Sequence, residues 1–159
     1  MDIASPKIKH ICHAIAIDEH RKLFGVTRFK DSPQAIEVWF PGCHSDVGGG
    51  YKEYELATFS LNWIVKHACR GGLLVDFSKI PLESSLSEMP IIHDEAKKIW
   101  WKILNFFRGD CYCDRNIAMT DVLYPCVDIL KSFNYAPSFL PPNYIVWKDN
   151  TGDTKANIA

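Results

Sequence analysis

The sequence predicts an α/β domain, and three observations predict it. Alternating apolar residues over 35–40 predict a β-strand that ends at a Pro-Gly turn. An apolar stripe at helical spacing over residues 55–70 predicts an amphipathic helix. The 159 residues, 47% hydrophobic and 23% charged, suffice for one globular domain with its own core. We expect that domain to span residues 7–147, with a polar, flexible tail over 148–159.

The first elements set up a loop that presents an acidic side chain. Apolar residues over 7–24 recur at mixed spacing, closer to a helix than to a strand, and the charged run over 18–22 predicts an exposed surface. The strand over 35–40 alternates its apolar side chains between two faces. Three consecutive glycines, 48–50, predict a sharp turn that lets the backbone pass close to a neighbouring loop. Asp46 would then lie at the rim of the sheet.

The later elements are mostly helical. The helix over 55–70 should end at Gly71 and Gly72, and a long loop follows over 78–90. A second helix is predicted over 94–108, with Asp94 as its N-cap. A last short helix is predicted over 122–133, weakened by Pro125.

Composition and charge argue against several classes of protein. The formal net charge of −1 and the lack of a basic patch give no reason to expect a nucleic-acid partner. No apolar run approaches 18 residues and no Sec-type signal begins the sequence, so we expect a cytoplasmic protein without a transmembrane segment. The six cysteines lack the spacing of a zinc site and are expected to be free thiols.

Three segments carry a resemblance to a known family. They are VWFPGCHSDVGGGY (38–51), HAIAIDEHR (13–21) and YAPSFLP (135–141). Together they resemble a family of α/β-hydrolase-like domains that includes phospholipase effectors of type VI secretion systems, over roughly residues 8–142. The resemblance implies a serine esterase or phospholipase that acts on an acyl ester. It also implies no metal or organic cofactor, and a secreted effector route.

A hydrolase of this kind needs a serine, an acid and a histidine in that chain order. Asp46 fits the acid, although an aspartate can also cap its own turn. His93 is the best base, because it follows Asp46 and immediately precedes a predicted helix. The segment around His93 resembles a His-Asp-Ser element of the family, with Glu95 in place of the serine. The alternative is that His93 is an exposed residue before the helix cap.

Other residues compete for these roles. We interpret His44 as a loop-shaping residue, and the remaining histidines as surface or packing residues: His10, His13, His20 and His67. Tyr124 and Cys126 stand where family members often carry histidine and serine. If that second histidine is the family's base, this chain has lost it, because tyrosine is a poor base at neutral pH.

The nucleophile is missing from this sequence. No Gly-x-Ser-x-Gly motif occurs, and in the family the nucleophile lies upstream of residues 13–21. Cys43 lies near the acid loop, but packing is its expected role, and the glycines at 48–50 do not form a phosphate-loop motif. We therefore predict the C-terminal part of an α/β-hydrolase-like domain, from a truncated or split serine hydrolase. The alternative is a non-catalytic module that docks with a separate N-terminal hydrolase piece, or self-associates through an open sheet edge.

Overall fold

A computed structural model describes residues 7–29, 32–101, 103, 112–137 and 139–149. Within these residues, four strands form one sheet in the order β1, β2, β3, β4, and each neighbouring pair is parallel. The strands are β1 (Ile11–Ala16), β2 (Ala35–Phe40), β3 (Val122–Leu123) and β4 (Ile145–Val146). The parallel sheet with interspersed helices confirms the α/β class. Strand β1 is one edge of the described sheet and β4 the other.

Helices connect and cover these strands. They are α1 (His44–Gly48), α2 (Glu55–Arg70) and α3 (Cys126–Ser132), with 3-10 turns at Lys22–Phe24, Phe77–Lys79 and Glu95–Lys97. The predicted helix over 55–70 is confirmed, with Gly71 as its C-cap. The predicted N-cap at Asp94 is also confirmed, since its side chain accepts a hydrogen bond from the Ala96 amide.

Apolar side chains pack against both faces of the sheet around β2. In the β1–β2 register Ala16 lies opposite Phe40, and this face packs against Phe59 and Trp63 of α2. On the other face, Trp39 packs with side chains of β1, β3 and α3, among them Ile15, Leu123, Val127 and Leu130. Burying one such large apolar side chain contributes about 1.5–3 kcal/mol. The strands are therefore fixed between two apolar layers, and their carboxyl ends share one edge of the sheet.

The sequence prediction was wrong at two elements. The predicted helix over 7–24 is instead strand β1 followed by one 3-10 turn. Strand β1 places Ile11 and Ile15 four residues apart, a spacing that also fits a helix. The predicted helix over 122–133 begins only at Cys126, after Pro125, and residues 122–123 form β3. Of the helix predicted over 94–108, the 3-10 turn and helical backbone at 99–101 and 103 are described, and the rest lies outside the described residues.

The predicted charged surface over residues 18–22 is also corrected in part. Asp18, Glu19 and Arg21 are 8%, 1% and 9% exposed. Charged groups are buried at this depth only when they are paired or hydrogen-bonded. Their partners lie around the loop that follows β2.

Candidate active site

Asp46 lies in α1, just beyond the carboxyl end of β2, and is 2% exposed. Its Oδ2 accepts hydrogen bonds from the backbone amides of Cys43 at 2.9 Å and His93 at 3.1 Å. Its Oδ1 lies 2.7 Å from His93 Nδ1. The two residues that the sequence singles out are therefore in direct contact. Asp46 both fixes its own turn and binds an imidazole, so the two roles considered for it are compatible.

Gly42 makes this position of Asp46 sterically accessible. Its φ of +102° lies in the region that favours glycine, and a Cβ there would stand 2.4 Å from the Cβ of Asp46. Of the three later glycines, Gly49 and Gly50 have φ of 80° and 136°, as the predicted sharp turn requires. A Cβ at Gly48 or Gly49 would meet nothing within 4 Å, and one at Gly50 would lie 3.8 Å from Ser45 Cβ, an ordinary van der Waals contact, so these glycines are not needed for a close approach. The close approach occurs at Gly42.

His93 is held on one edge and on one face. Nδ1 faces Asp46, and the ring of Tyr51 stacks on the imidazole with centroids 3.7 Å apart and 18° between the planes. Nε2 lies on the opposite edge, 3.8 Å from Glu53 Oε2, and the side chain is 21% exposed. When His93 Nδ1–H donates a hydrogen bond to Asp46, Nε2 is the ring nitrogen that can accept a proton from another group.

A second buried carboxyl group, Asp18, holds the same turn. Its Oδ2 accepts hydrogen bonds from the Gly42 amide at 2.6 Å and the Tyr135 hydroxyl at 2.8 Å. Burial raises the pKa of Asp18. The three segments that resemble the family thus meet at one turn. Sequence reasoning missed Asp18, although an acidic pair directly after an apolar run was an available signal.

Glu19 supports the start of α1. Its Oε2 accepts a hydrogen bond from the His44 amide at 3.3 Å, and Arg21 binds both of its oxygens, at 2.7 and 2.5 Å. Burial raises the pKa of Glu19, but the hydrogen bonds from Arg21 outweigh burial and leave this pKa below its usual value. The guanidinium of Arg21 also lies over the ring of Phe24, 3.7 Å from its centroid. The Glu19–Arg21 pair thus holds the backbone at His44, where α1 begins.

Three other histidines have partners outside the Asp46 site. His13 lies 3.0 Å from Glu37, and His20 lies 3.1 Å from Asp114. His67 packs between Trp63 and Trp147, and burial lowers its pKa. The exposed His44 begins α1, with its ring 5.6 Å from that of Phe24.

Three residues considered as replacements for the family's base and nucleophile are buried: Tyr124, Cys43 and Cys126. The Tyr124 hydroxyl donates to Glu83 at 2.9 Å, and burial raises the pKa of Tyr124. Burial likewise raises the pKa of the Cys43 and Cys126 thiols, which are 0% and 1% exposed. Thiolate is the nucleophilic form of cysteine, so these two thiols are poorly suited to attack an ester. Packing is the role that their burial supports.

Neither a metal site nor a membrane-spanning helix occurs in the residues that the structure describes. No group of three or more histidine, cysteine, aspartate or glutamate side chains there is arranged to hold a metal ion. In the same residues, no helix is both long enough and apolar enough to cross a membrane.

The fold and the site define the class of protein: an α/β protein with an Asp–His pair at the carboxyl end of a parallel sheet. Residues 1–67 match the family model "T6SS, Phospholipase effector Tle1-like, catalytic domain". Over these residues the chain resembles a phospholipase effector-like hydrolase family, which confirms the resemblance predicted from the motif. The matched part contains β1, β2 and Asp46 and stops before His93.

One curated protein is similar over a shorter stretch. The uncharacterized protein YEL023C of Saccharomyces cerevisiae is 42% identical over 52 residues, which cover 30% of this chain and 8% of that protein. The chain therefore spans less than a tenth of this relative. No solved structure matches the chain.

Proposed function

We propose that this chain supplies the acid and the base of a Ser–Asp–His ester hydrolase, with Asp46 orienting His93. The substrate class is an acyl ester, and the family resemblance favours a phospholipid. The observation that carries the proposal is the 2.7 Å contact between Asp46 Oδ1 and His93 Nδ1, which leaves Nε2 on the opposite edge of the ring. The resemblance to an effector family also supports a cytoplasmic origin with secretion as the route of delivery.

In this mechanism His93 transfers a proton twice. Nε2 takes the proton of the serine hydroxyl as its oxygen attacks the ester carbonyl, and Asp46 stabilises the imidazolium that forms. The imidazolium then gives that proton to the leaving alcohol, and the acyl group stays on the serine. Water repeats the sequence and releases the fatty acid. No cofactor takes part in these steps.

The serine must come from outside this sequence, which has no nucleophile-elbow motif. A segment that carries the serine could pair with the edge of β1, because β1 pairs only with β2 among the described strands. Open grooves of about 440 and 450 Å³ lie beside β1, and residues Ala14 and Ala16 contribute to both. Parallel sheets are normally covered on both faces, and an unpaired edge is a template for another strand. We propose that a hydrolase segment adds a parallel strand here and carries the serine at its carboxyl end.

The test is reconstitution with a nucleophile-bearing half. The chain is co-expressed with the N-terminal half of a Tle1-like catalytic domain that contains Gly-x-Ser-x-Gly. Hydrolysis of a p-nitrophenyl ester and of phospholipid vesicles is then measured. We expect no hydrolysis by the chain alone and hydrolysis by the pair. His93→Gln should lower kcat of the pair by about 10³-fold or more, whereas the exposed His10→Gln should leave it unchanged.

Two results would contradict this proposal. Labelling of the isolated chain by a fluorophosphonate probe would show that it carries its own activated serine. Hydrolysis by the pair that is insensitive to His93→Gln would remove His93 from the mechanism.

The second candidate function is a non-catalytic interaction module, and the open edge of β1 favours it. In that case the same N-terminal half binds at β1, but the complex hydrolyses neither ester. Without that half, the open edge should lead to dimers or poor solubility of the isolated chain. A chain that remains monomeric at high concentration in sedimentation experiments would count against this candidate.

A further inference from the structure

Tyr51 stacks on one face of the His93 ring, whereas Asp46 binds the edge of the ring at Nδ1. The two rings are nearly parallel, at 18°, with centroids 3.7 Å apart. Because Nδ1 is bound in the plane of the ring and Tyr51 covers one face, the imidazole has little freedom to rotate about its side-chain bonds. Aromatic stacking of this kind contributes beyond the burial of area alone.

The hydroxyl of Tyr51 is tied to the segment that carries His93. It donates a hydrogen bond to Glu95 Oε1 and lies 3.5 Å from Cys43 Sγ. Lys98 Nζ also contacts Glu95 Oε1, at 2.5 Å. Tyr51 follows the glycine turn, whereas Glu95 is two residues beyond His93. The tyrosine thus joins the loop of Asp46 to the loop of His93.

The protonation states of Tyr51 and Glu95 favour a strong hydrogen bond between them. Burial raises the pKa of Glu95, but the hydrogen bonds from Lys98 and Tyr51 outweigh burial and leave this pKa below its usual value. Burial and the neighbouring Cys43 and Glu95 raise the pKa of Tyr51, so the phenol keeps the proton that it donates. A charged acceptor makes such a bond stronger than one between neutral groups.

We propose that Tyr51 is a positioning residue, which holds the imidazole of His93 with Nδ1 on Asp46 and Nε2 free to exchange a proton. The inference rests on the proposed function and adds a third residue that acts through His93. Stacking on Tyr51 holds the plane of the His93 ring. The hydrogen bond from the Tyr51 hydroxyl to Glu95 in turn holds Tyr51 in place. An aromatic residue that merely fills space would not need the bond to Glu95.

The experiment is nuclear magnetic resonance of the chain with its histidine rings labelled with ¹⁵N. In the unmodified chain we expect a low-field Nδ1–H resonance of His93 that exchanges slowly with water. Tyr51→Leu removes both the stack and the hydroxyl, and should accelerate this exchange about ten-fold. Tyr51→Phe keeps the stack and should cause a smaller acceleration. Tyr54→Leu is the matched control, because Tyr54 lies in the same loop and is 60% exposed.

The outcomes separate positioning from packing. Exchange in Tyr51→Leu within two-fold of the unmodified chain would overturn the proposal. If Tyr51→Leu does not fold, Tyr51→Phe decides, and unchanged exchange in that variant overturns it. The measurement needs no substrate. A Tyr51 effect on exchange in a chain whose reconstituted pair hydrolyses no ester would support the positioning role and overturn only the proposed hydrolase function.

Discussion

Asp18 and Asp46 accept hydrogen bonds from consecutive backbone amides of one turn. The Gly42 amide donates to Asp18 at 2.6 Å and the Cys43 amide donates to Asp46 at 2.9 Å. One carboxyl group follows β1 and the other lies in α1, so the turn after β2 is held from two directions. Because both carboxyl groups bind the same turn, the position of Asp46 against His93 also depends on Asp18.

The first prediction concerns Gly42→Ala. Its φ of +102° is unfavourable for alanine, and the new Cβ would lie 2.4 Å from the Cβ of Asp46. We expect the free energy of unfolding to fall by about 2–4 kcal/mol, from backbone strain together with the displacement of Asp46. Chemical denaturation measures the change. Gly48→Ala is the control, because a Cβ there meets nothing within 4 Å, and it should change stability by less than about 1 kcal/mol. Equal losses in the two variants would contradict the steric explanation.

The second prediction concerns Asp18→Asn. Both donors to Asp18 use Oδ2, so the single amide oxygen of asparagine can accept both hydrogen bonds. Burial raises the pKa of Asp18, so the folded chain binds its proton more tightly than the unfolded chain. The contribution of Asp18 to the free energy of unfolding is therefore largest below the usual pKa of 3.8. It decreases as the pH rises through the higher pKa of the folded chain. Asp18→Asn should remove this decrease, as measured by denaturation between pH 4 and 7.

Two controls accompany Asp18→Asn. Asp18→Ala leaves the Gly42 amide and the Tyr135 hydroxyl without this acceptor, and should cost about 2–5 kcal/mol. Glu88→Gln changes an exposed carboxyl group and should leave the pH profile as it was. A profile for Asp18→Asn identical to that of the unmodified chain would show that Asp18 does not titrate in this range.

Local signals explain what the sequence predicted correctly. The β2 strand, the glycine turn and α2 each follow from spacing or residue type within about sixteen residues, and the structure contains all three. The pairing of Asp46 with His93 followed from chain order and from the family resemblance. A contact across 47 residues cannot be predicted from periodicity. It was predicted because a catalytic triad requires its acid to bind its histidine.

The missed features depend on partners distant in the chain. Strand β1 places Ile11 and Ile15 four residues apart, which fits helical spacing, and only its register with β2 makes it a strand. Strands β3 and β4 have two residues each, too few for a pattern. Asp18 binds Gly42 and Tyr135, which are 24 and 117 residues away. Local charge density therefore predicted an exposed surface where the fold has a buried carboxyl group.

The third prediction concerns Arg28→Lys. Arg28 donates to Glu37 at 2.8 Å and, through two nitrogens, to Asp121 at 3.1 and 2.8 Å. A single ammonium cannot reproduce this geometry, so we expect a loss of about 1–3 kcal/mol at pH 7 by chemical denaturation. Arg70→Lys is the control, because the ion pair of Arg70 with Asp149 is 40% and 42% exposed. A pair so exposed contributes about 0–1 kcal/mol.

The ion pairs of Arg28 with Glu37 and Asp121 also predict how the stability loss in Arg28→Lys depends on pH. Burial raises the pKa of Glu37 and Asp121, but Arg28 and the other hydrogen-bond donors to each carboxylate together outweigh burial and leave both pKa values below their usual range. The stabilisation is therefore present above the usual values of 4.5 and 3.8, and is lost as the pH falls through the lower folded values. The difference between Arg28→Lys and the unmodified chain should shrink below pH 4. A constant difference down to pH 2 would contradict the ionic contribution.

The last prediction concerns the tautomer of His93 in Asp46→Asn. Two backbone amides bind Oδ2, so the amide oxygen of asparagine should remain there and its NH₂ group should face His93 Nδ1. Nδ1 then becomes an acceptor, and the proton moves to Nε2. A ring protonated at Nε2 cannot take a proton from a nucleophile, so hydrolysis by the reconstituted pair should fall by about 10⁴-fold. Stability should change by only about 1 kcal/mol, because both backbone bonds persist.

Long-range ¹H–¹⁵N spectra report which nitrogen of His93 carries the proton in this variant. Asp114→Asn is the control, since Asp114 lies 3.1 Å from His20 Nδ1 without a hydrogen bond to it, so this substitution should leave the His93 tautomer unchanged. A His93 ring that keeps its Nδ1 proton in Asp46→Asn would mean that Asp46 does not set the tautomer. Because the two amides hold Oδ2 whichever atom faces His93, this substitution separates the structural role of Asp46 in its turn from its role toward the imidazole.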